Sequence, residues 1–193
     1  MKTFTFAAAL GAATLFSTTA FAAAERYTLD PSHSQVVFSY NHLGFSTTYN
    51  MFSGFEGEIM FDAEDPAGSS VSVSMPVTSL FTGWDARFEH FMADDFFGAS
   101  DGDLITFTST SIDVTGDTSA LITGDLTVNG ITKPVTLDTV MTKIGDNPMS
   151  GKPWVGFNAT AEILRSDFDL GGAAPAVSDG MNIIISIEAG KAE

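Results

Sequence analysis

Apolar and polar residues alternate one by one along most of this chain, and a period of two makes the β-strand its main building element. Val36, Phe38, Tyr40 and His42 alternate with Val37, Ser39, Asn41 and Leu43. Phe55, Gly57, Ile59 and Phe61 alternate with Glu56, Glu58 and Met60; Val71, Val73, Met75 and Val77 alternate with Ser72 and Ser74. Ile105 and Phe107 alternate with Thr106 and Thr108, and the runs 121–128, 131–144, 154–164 and 181–188 behave alike. Such strands are half-buried, one face on a core and one in water.

The punctuation agrees. Asn129-Gly130, between Leu126-Thr127-Val128 and Ile131-Thr132-Lys133, is the strongest hairpin signal, because both central residues of a type I′ turn need positive φ. Asp65-Pro66-Ala67-Gly68 and Thr115-Gly116-Asp117 mark further reversals, and 146–152 reads as a longer loop. One segment breaks the pattern. From Ser79 to Phe97 the apolar residues Leu80, Trp84, Phe88, Phe91, Met92 and Phe96 recur at helical steps, with Ser79 or Thr82 as candidate cap and Gly98 as candidate stop. The expected order is about three strands, a helical insert, and about five more strands. That order favours an antiparallel barrel or sandwich over any βαβ fold.

Residues 1–22 read as a targeting segment rather than as fold. Lys2 is followed by an apolar run from Phe4 to Phe16 and by the small-residue site Ala20-Phe21-Ala22, the pattern of a cleaved secretory signal. Cleavage after Ala22 leaves residues 23–193 as one domain, expected in the periplasm. No later segment is long and apolar enough to span a membrane, so no stable membrane insertion is expected.

Composition narrows the chemistry. There is no cysteine, so thiol nucleophiles, thiolate zinc sites and disulfides are excluded and the core and sheet must hold the fold. Twenty-four Asp and Glu oppose eight Lys and Arg, a net charge of −16. Nucleic acid is therefore not an expected partner, and anionic membrane surfaces should repel the protein. With seventeen Phe present, the acidic residues read as a solvated surface that keeps a Phe-rich β protein soluble.

Gly98-Ala99-Ser100-Asp101-Gly102 matches the G-x-S-x-G pattern of a nucleophile elbow. The elbow needs a strand before the serine and a helix after it; here the order is reversed, so the segment reads as a loop. The three histidines, His33, His42 and His90, lack metal-site spacing. His33 is expected to hydrogen-bond backbone in a turn and His42 to lie on a strand face beside Tyr40. Arg87 and His90 are helix neighbours three apart, next to an aromatic stripe. Arg87 either presents to a ligand or pairs with Asp94 or Asp95 at the surface.

With these residues in view, the chain resembles the YceI-like, or polyisoprenoid-binding, family over nearly all of residues 23–193. The resemblance is carried by Tyr27-Thr28-Leu29-Asp30-Pro31-Ser32-His33-Ser34, by His42-Leu43-Gly44-Phe45-Ser46 and by Phe52-Ser53-Gly54-Phe55-Glu56-Gly57. Arg87, His90, Asp95-Phe96-Phe97, the stretch from Gly124 to Val135, and Arg165-Ser166-Asp167-Phe168 continue it. Two positions depart: Phe88 stands where the family has an acid beside its arginine, and Asn50 where it tends to have glycine. The resemblance implies a lipocalin-like antiparallel barrel of about eight strands that holds an isoprenoid chain, with no catalytic residues and no cofactor beyond a bound isoprenoid or quinone.

Ligand contacts are expected from Phe38, Tyr40 and His42 on one strand and from Trp84, Arg87, Phe88, His90 and Phe91 on the insert. Phe107, Phe157 and Ile163 are expected to add contacts from later strands. The expected partner is a long-chain apolar small molecule, with a homodimer left open. Two other readings remain: a small hydrolase or metal-dependent enzyme using His42, His90 and nearby carboxylates, and a stress protein with no lipid ligand.

Overall fold

The computed structural model describes residues 23–193, so the expected signal segment lies outside the described residues. Ten strand segments form: β1 (Glu25–Leu29), β2 (Gln35–His42), β3 (Ser46–Phe52), β4 (Glu56–Phe61) and β5 (Ser70–Pro76), then β6 (Leu104–Val114), β7 (Ser119–Val128), β8 (Ile131–Asp146), β9 (Pro153–Leu164) and β10 (Gly180–Lys191). One helix, α1 (Asp85–Met92), lies between β5 and β6. Every strand pairing is antiparallel.

Ten segments make an eight-stranded barrel because two of its strands are kinked. Tyr27, Thr28 and Leu29 of β1 pair with Lys191, Gly190 and Ala189, while Gln35 to Ser39 of β2 pair with Ser186 to Asn182. Thus β1 and β2 run in line along β10, interrupted at Asp30–Ser34. The Asp30 carboxylate accepts from the Ser32 backbone N–H at 2.9 Å, and the Asp30 N–H donates to the Glu188 carbonyl at 2.8 Å. The second kinked strand is β3 and β4, which pair with β2 and β1 respectively. Its break falls at Ser53–Phe55, where Gly54 takes φ +69°. The ring then runs through β5 to β10 and closes on β1. The expected split therefore holds: three barrel strands, β1/β2, β3/β4 and β5, precede the helix and five, β6 to β10, follow it.

The hairpin β7–β8 turns at Asn129 (φ 51°) and Gly130 (φ 71°), as the type I′ signal requires. This turn, the β2–β3 turn, α1 and the β9–β10 connection share one end of the barrel, here the upper end. The turns at 66–68, 115–118 and 147–152 share the lower end.

The helix is shorter than its periodicity suggested. Ser79 closes a separate 3-10 turn at Val77–Ser79, and Gly83 (φ +74°) breaks the chain before α1. Trp84 occupies the N-cap with no side-chain cap bond, and Thr82 Oγ1 instead donates to the Trp84 carbonyl at 2.7 Å. After the helix, the Gly98 N–H closes on the Ala93 carbonyl at 2.9 Å.

Two apolar clusters occupy the two ends. The upper one gathers Phe38, Phe52, Phe91, Phe168 and Leu170, and the lower one Tyr27, Phe55, Ile59, Phe61 and Val155. Between them the Phe107 ring lies over the backbone of Gly124 on the neighbouring strand. A Cβ at residue 124 would sit 2.4 Å from the ring and 2.6 Å from the Thr108 carbonyl oxygen. An aromatic over a glycine locks strand register here. Gly124→Ala is expected to destabilise the protein by about 1–3 kcal/mol through overpacking, measured by denaturant unfolding.

Candidate functional site: an apolar cavity through the barrel

Inward positions of all the long strands leave the barrel centre unfilled. A cavity of about 870 Å³ runs inside it, within the size range of sites that hold small molecules. Its lining reaches from His42 and Trp84 at the upper end to the 116–120 turn and Ser69–Ser70 at the lower end. The middle is apolar, built from inward residues such as Val71, Val73, Ile122, Leu137, Ile183 and Ile185.

Ten of the eleven residues expected at the site line this cavity. Phe38, Tyr40 and His42 project from β2, Phe107 from β6, and Phe157 and Ile163 from β9. Trp84, Arg87, His90 and Phe91 reach it from α1 and its entry. Phe88 is the exception. It packs half-buried against the upper cluster and does not line the cavity. The apolar stripe of a short helix is wide enough that only part of it faces the hollow.

The insert plugs the upper end with aromatics. Phe91 and Phe96 meet edge to face at 4.7 Å, Phe96 and Phe97 at 5.4 Å, and His90 lies edge-on to Phe96 at 6.0 Å. Arg87 does not form the alternative surface ion pair: no carboxylate lies within 4.0 Å of it among the described residues. Its Nη1 donates to the Thr82 carbonyl at 3.0 Å.

Two further polar side chains lie at the upper end, both already in the sequence pattern: Arg165 in the Arg-Ser-Asp-Phe run and Asn50 as a departure from the family. Arg165 is buried, lines the cavity, and donates only to carbonyls: Nε to Ser178, Nη1 to Leu170 and Gly172, and Nη2 to Gly172 and Val177, at 2.6–3.3 Å. One guanidinium thus holds the whole β9–β10 connection, whose residues Phe168, Leu170, Ala173 and Val177 wall the upper cavity. Asn50 is buried on the same face of β3 as Thr48 and Phe52, which line the cavity. Neither its Oδ1 nor its Nδ2 has a hydrogen-bond partner among the described residues.

The histidines part ways. His42 and His90 face the cavity, but His33 lies on the outer wall at the β1–β2 kink. Its Nδ1 bonds the Asp30 carboxylate at 2.7 Å rather than the expected backbone, and that bond raises its pKa. Burial pushes the Asp30 carboxyl up, yet hydrogen bonds from Ser32 and His33 overcome this and leave it below its usual value. With Glu188 these two are, among the described residues, the one group of three His, Asp or Glu whose ligand atoms lie within 4.8 Å of one another. The G-x-S-x-G segment is a loop leading into β6, in which the Ser100 N–H and hydroxyl both donate to Asp103 Oδ2 at 2.8 and 3.2 Å.

A closed antiparallel eight-stranded barrel with one helix between strands and an apolar hollow is a lipocalin-like fold. The chain belongs to the YceI-like family, whose domain pattern matches residues 27–189. It is 38% identical over 178 residues to Protein YceI of Escherichia coli, covering 91% of this chain and 92% of that one. Among solved structures, BcnA of Burkholderia cenocepacia superposes with a TM-score of 0.74 at 23% identity, covering 83% of this chain and 98% of BcnA. A polyisoprenoid-binding domain from Saccharophagus degradans superposes at 0.67 and 15% identity, covering 86% and 98%.

The role of Arg165 yields a test. Arg165→Lys keeps the charge but not the planar five-donor fork, and is expected to cost at least about 3 kcal/mol because buried carbonyls lose their donors. Hydrogen exchange should show loss of protection confined first to residues 165–180.

Proposed function

We propose that this protein is a carrier that holds an isoprenoid lipid in its barrel after export to the periplasm. The observation that carries this reading is the apolar cavity running the length of the barrel. Water penalises each exposed methylene by about 0.8 kcal/mol, so a long branched hydrocarbon gains affinity from burial alone. The Saccharophagus degradans barrel, similar in fold, is a polyisoprenoid-binding domain, which fits the same ligand class. The pattern of Lys2, Phe4 to Phe16 and Ala20-Phe21-Ala22 supports export.

The upper mouth carries the imidazole and guanidinium groups of His42, Arg87 and His90 beside Trp84, whereas the lower end offers the hydroxyls of Ser69, Ser70, Thr118 and Ser119 and the acidic Asp117. We place the head group at the upper end, with the tail running down toward the 116–120 turn. The net charge of −16 opposes a pyrophosphate head at long range, whereas a neutral quinone meets no such field and can stack on Trp84. A neutral isoprenoid is the better match. Catalysis has no part in this reading.

Ala161→Phe tests it without burying a charge. Residue 161 faces the cavity between Ala159 and Ile163. Filling the tunnel there should weaken uptake of a long-tailed quinone at least about tenfold, the loss that goes with about 1.4 kcal/mol of displaced burial. Unchanged uptake by a variant of native thermal stability contradicts the reading.

A further inference from the structure

Beside the upper mouth the surface changes character. Leu43 and Phe45 tip the β2–β3 turn, Tyr49 points outward from β3, and Phe81 and Trp84 continue the band toward α1. All five are exposed, Phe45 by 89% and Trp84 by 64%. Trp84 also lines the cavity, so the band and the hollow are continuous. Scattered surface apolar residues need no explanation, but a run of large ones at the rim of a binding cavity does.

The charge pattern sets this face apart. From Pro31 to Phe55 there is no Asp, Glu, Lys or Arg, in a chain with 24 acidic residues. Among the described residues the outer edge of β3 makes backbone pairs only at Met51, whose N–H and carbonyl pair with Phe81 at 3.0 and 2.7 Å. An aromatic rim that is uncharged along β2 and β3, and flanked by Asp85, Arg87 and Asp95 only on its helical side, is suited to approach a surface that is neither anionic nor fully aqueous. Tyr and Trp favour the headgroup level of a bilayer, where one end of the ring is apolar and the other wet.

We propose that this band docks the protein, mouth first, on the surface of a zwitterionic lipid bilayer. The proposal deepens the carrier reading and rests on it: a ligand that lives in membranes then passes into the barrel without crossing water. The acidic remainder opposes anionic lipid and holds the body away, so contact is peripheral and oriented. A second copy seated on the same face would instead cover the mouth and shut the apolar route.

The test uses ligand-free protein and phosphatidylcholine vesicles, followed by co-sedimentation. The double variant Phe45→Ser, Tyr49→Ser removes two aromatics that do not line the cavity. Vesicle binding should fall at least about tenfold, the size expected for losing burial of one large apolar side chain. It should persist at high salt, because apolar contact and not ion pairing drives it. Uptake of quinone from dilute detergent should stay at the native level in the variant. Equal vesicle binding by native and variant protein, or none by the native protein, overturns the proposal. So does a concentration-dependent dimer in analytical ultracentrifugation that the variant abolishes. If vesicle binding behaves as stated while neither protein takes up quinone, docking stands and the carrier reading falls.

Discussion

Every other feature of this barrel depends on the pairing of β10 with two successive segments of the chain. One edge of β10 meets β9 along nearly its whole length; the other meets β2 first and β1 beyond it. That second edge closes the ring. A closed ring pairs nearly every strand on both edges, leaving only the β3 half of its kinked strand largely open, and fixes which face of each strand looks inward. Eight strands then set the diameter, and residues of ordinary size do not fill it. The cavity is a consequence of closure, in a chain with no disulfide to hold an irregular shell.

The kinks are what allow closure. At Asp30–Ser34 the chain steps out of line and is pinned back to Glu188 by backbone and by Ser34, while Asp30 and His33 brace each other on the outside. Linkage gives the pair opposite signs. The raised pKa of His33 contributes stability at low pH that is lost as pH rises through it; the lowered pKa of Asp30 contributes stability that is lost as pH falls through it. The brace is therefore strongest between the two. At the top, Arg165 does the corresponding work for the β9–β10 connection, through hydrogen bonds alone.

The strand character was legible because alternation reports burial directly: Val71, Val73 and Met75 face in, and Ser72 does not. The Asn129-Gly130 turn was legible because its backbone admits few residues. The count of about eight barrel strands was legible too; the kinks were not, since only the pairing of β1 and β2 with one partner reveals them. Whether Phe88 packs on the core or lines the cavity was not legible, because an eight-residue helix has too few turns for its stripe to separate the two. Arg165 and Asn50 were legible as positions in the family pattern, but what they touch was not. Their roles arise from carbonyls and neighbours distant in sequence, and no local pattern announces a guanidinium that binds only backbone.

The central claim is that the hollow holds a long apolar molecule. Native mass spectrometry of the full chain, expressed with export intact and purified without detergent, tests it most directly. The account predicts an added mass that organic extraction releases as a neutral isoprenoid lipid, and that Ala161→Phe protein lacks. Protein carrying no added mass, or a metal ion whose retention depends on His42 and His90, would contradict it.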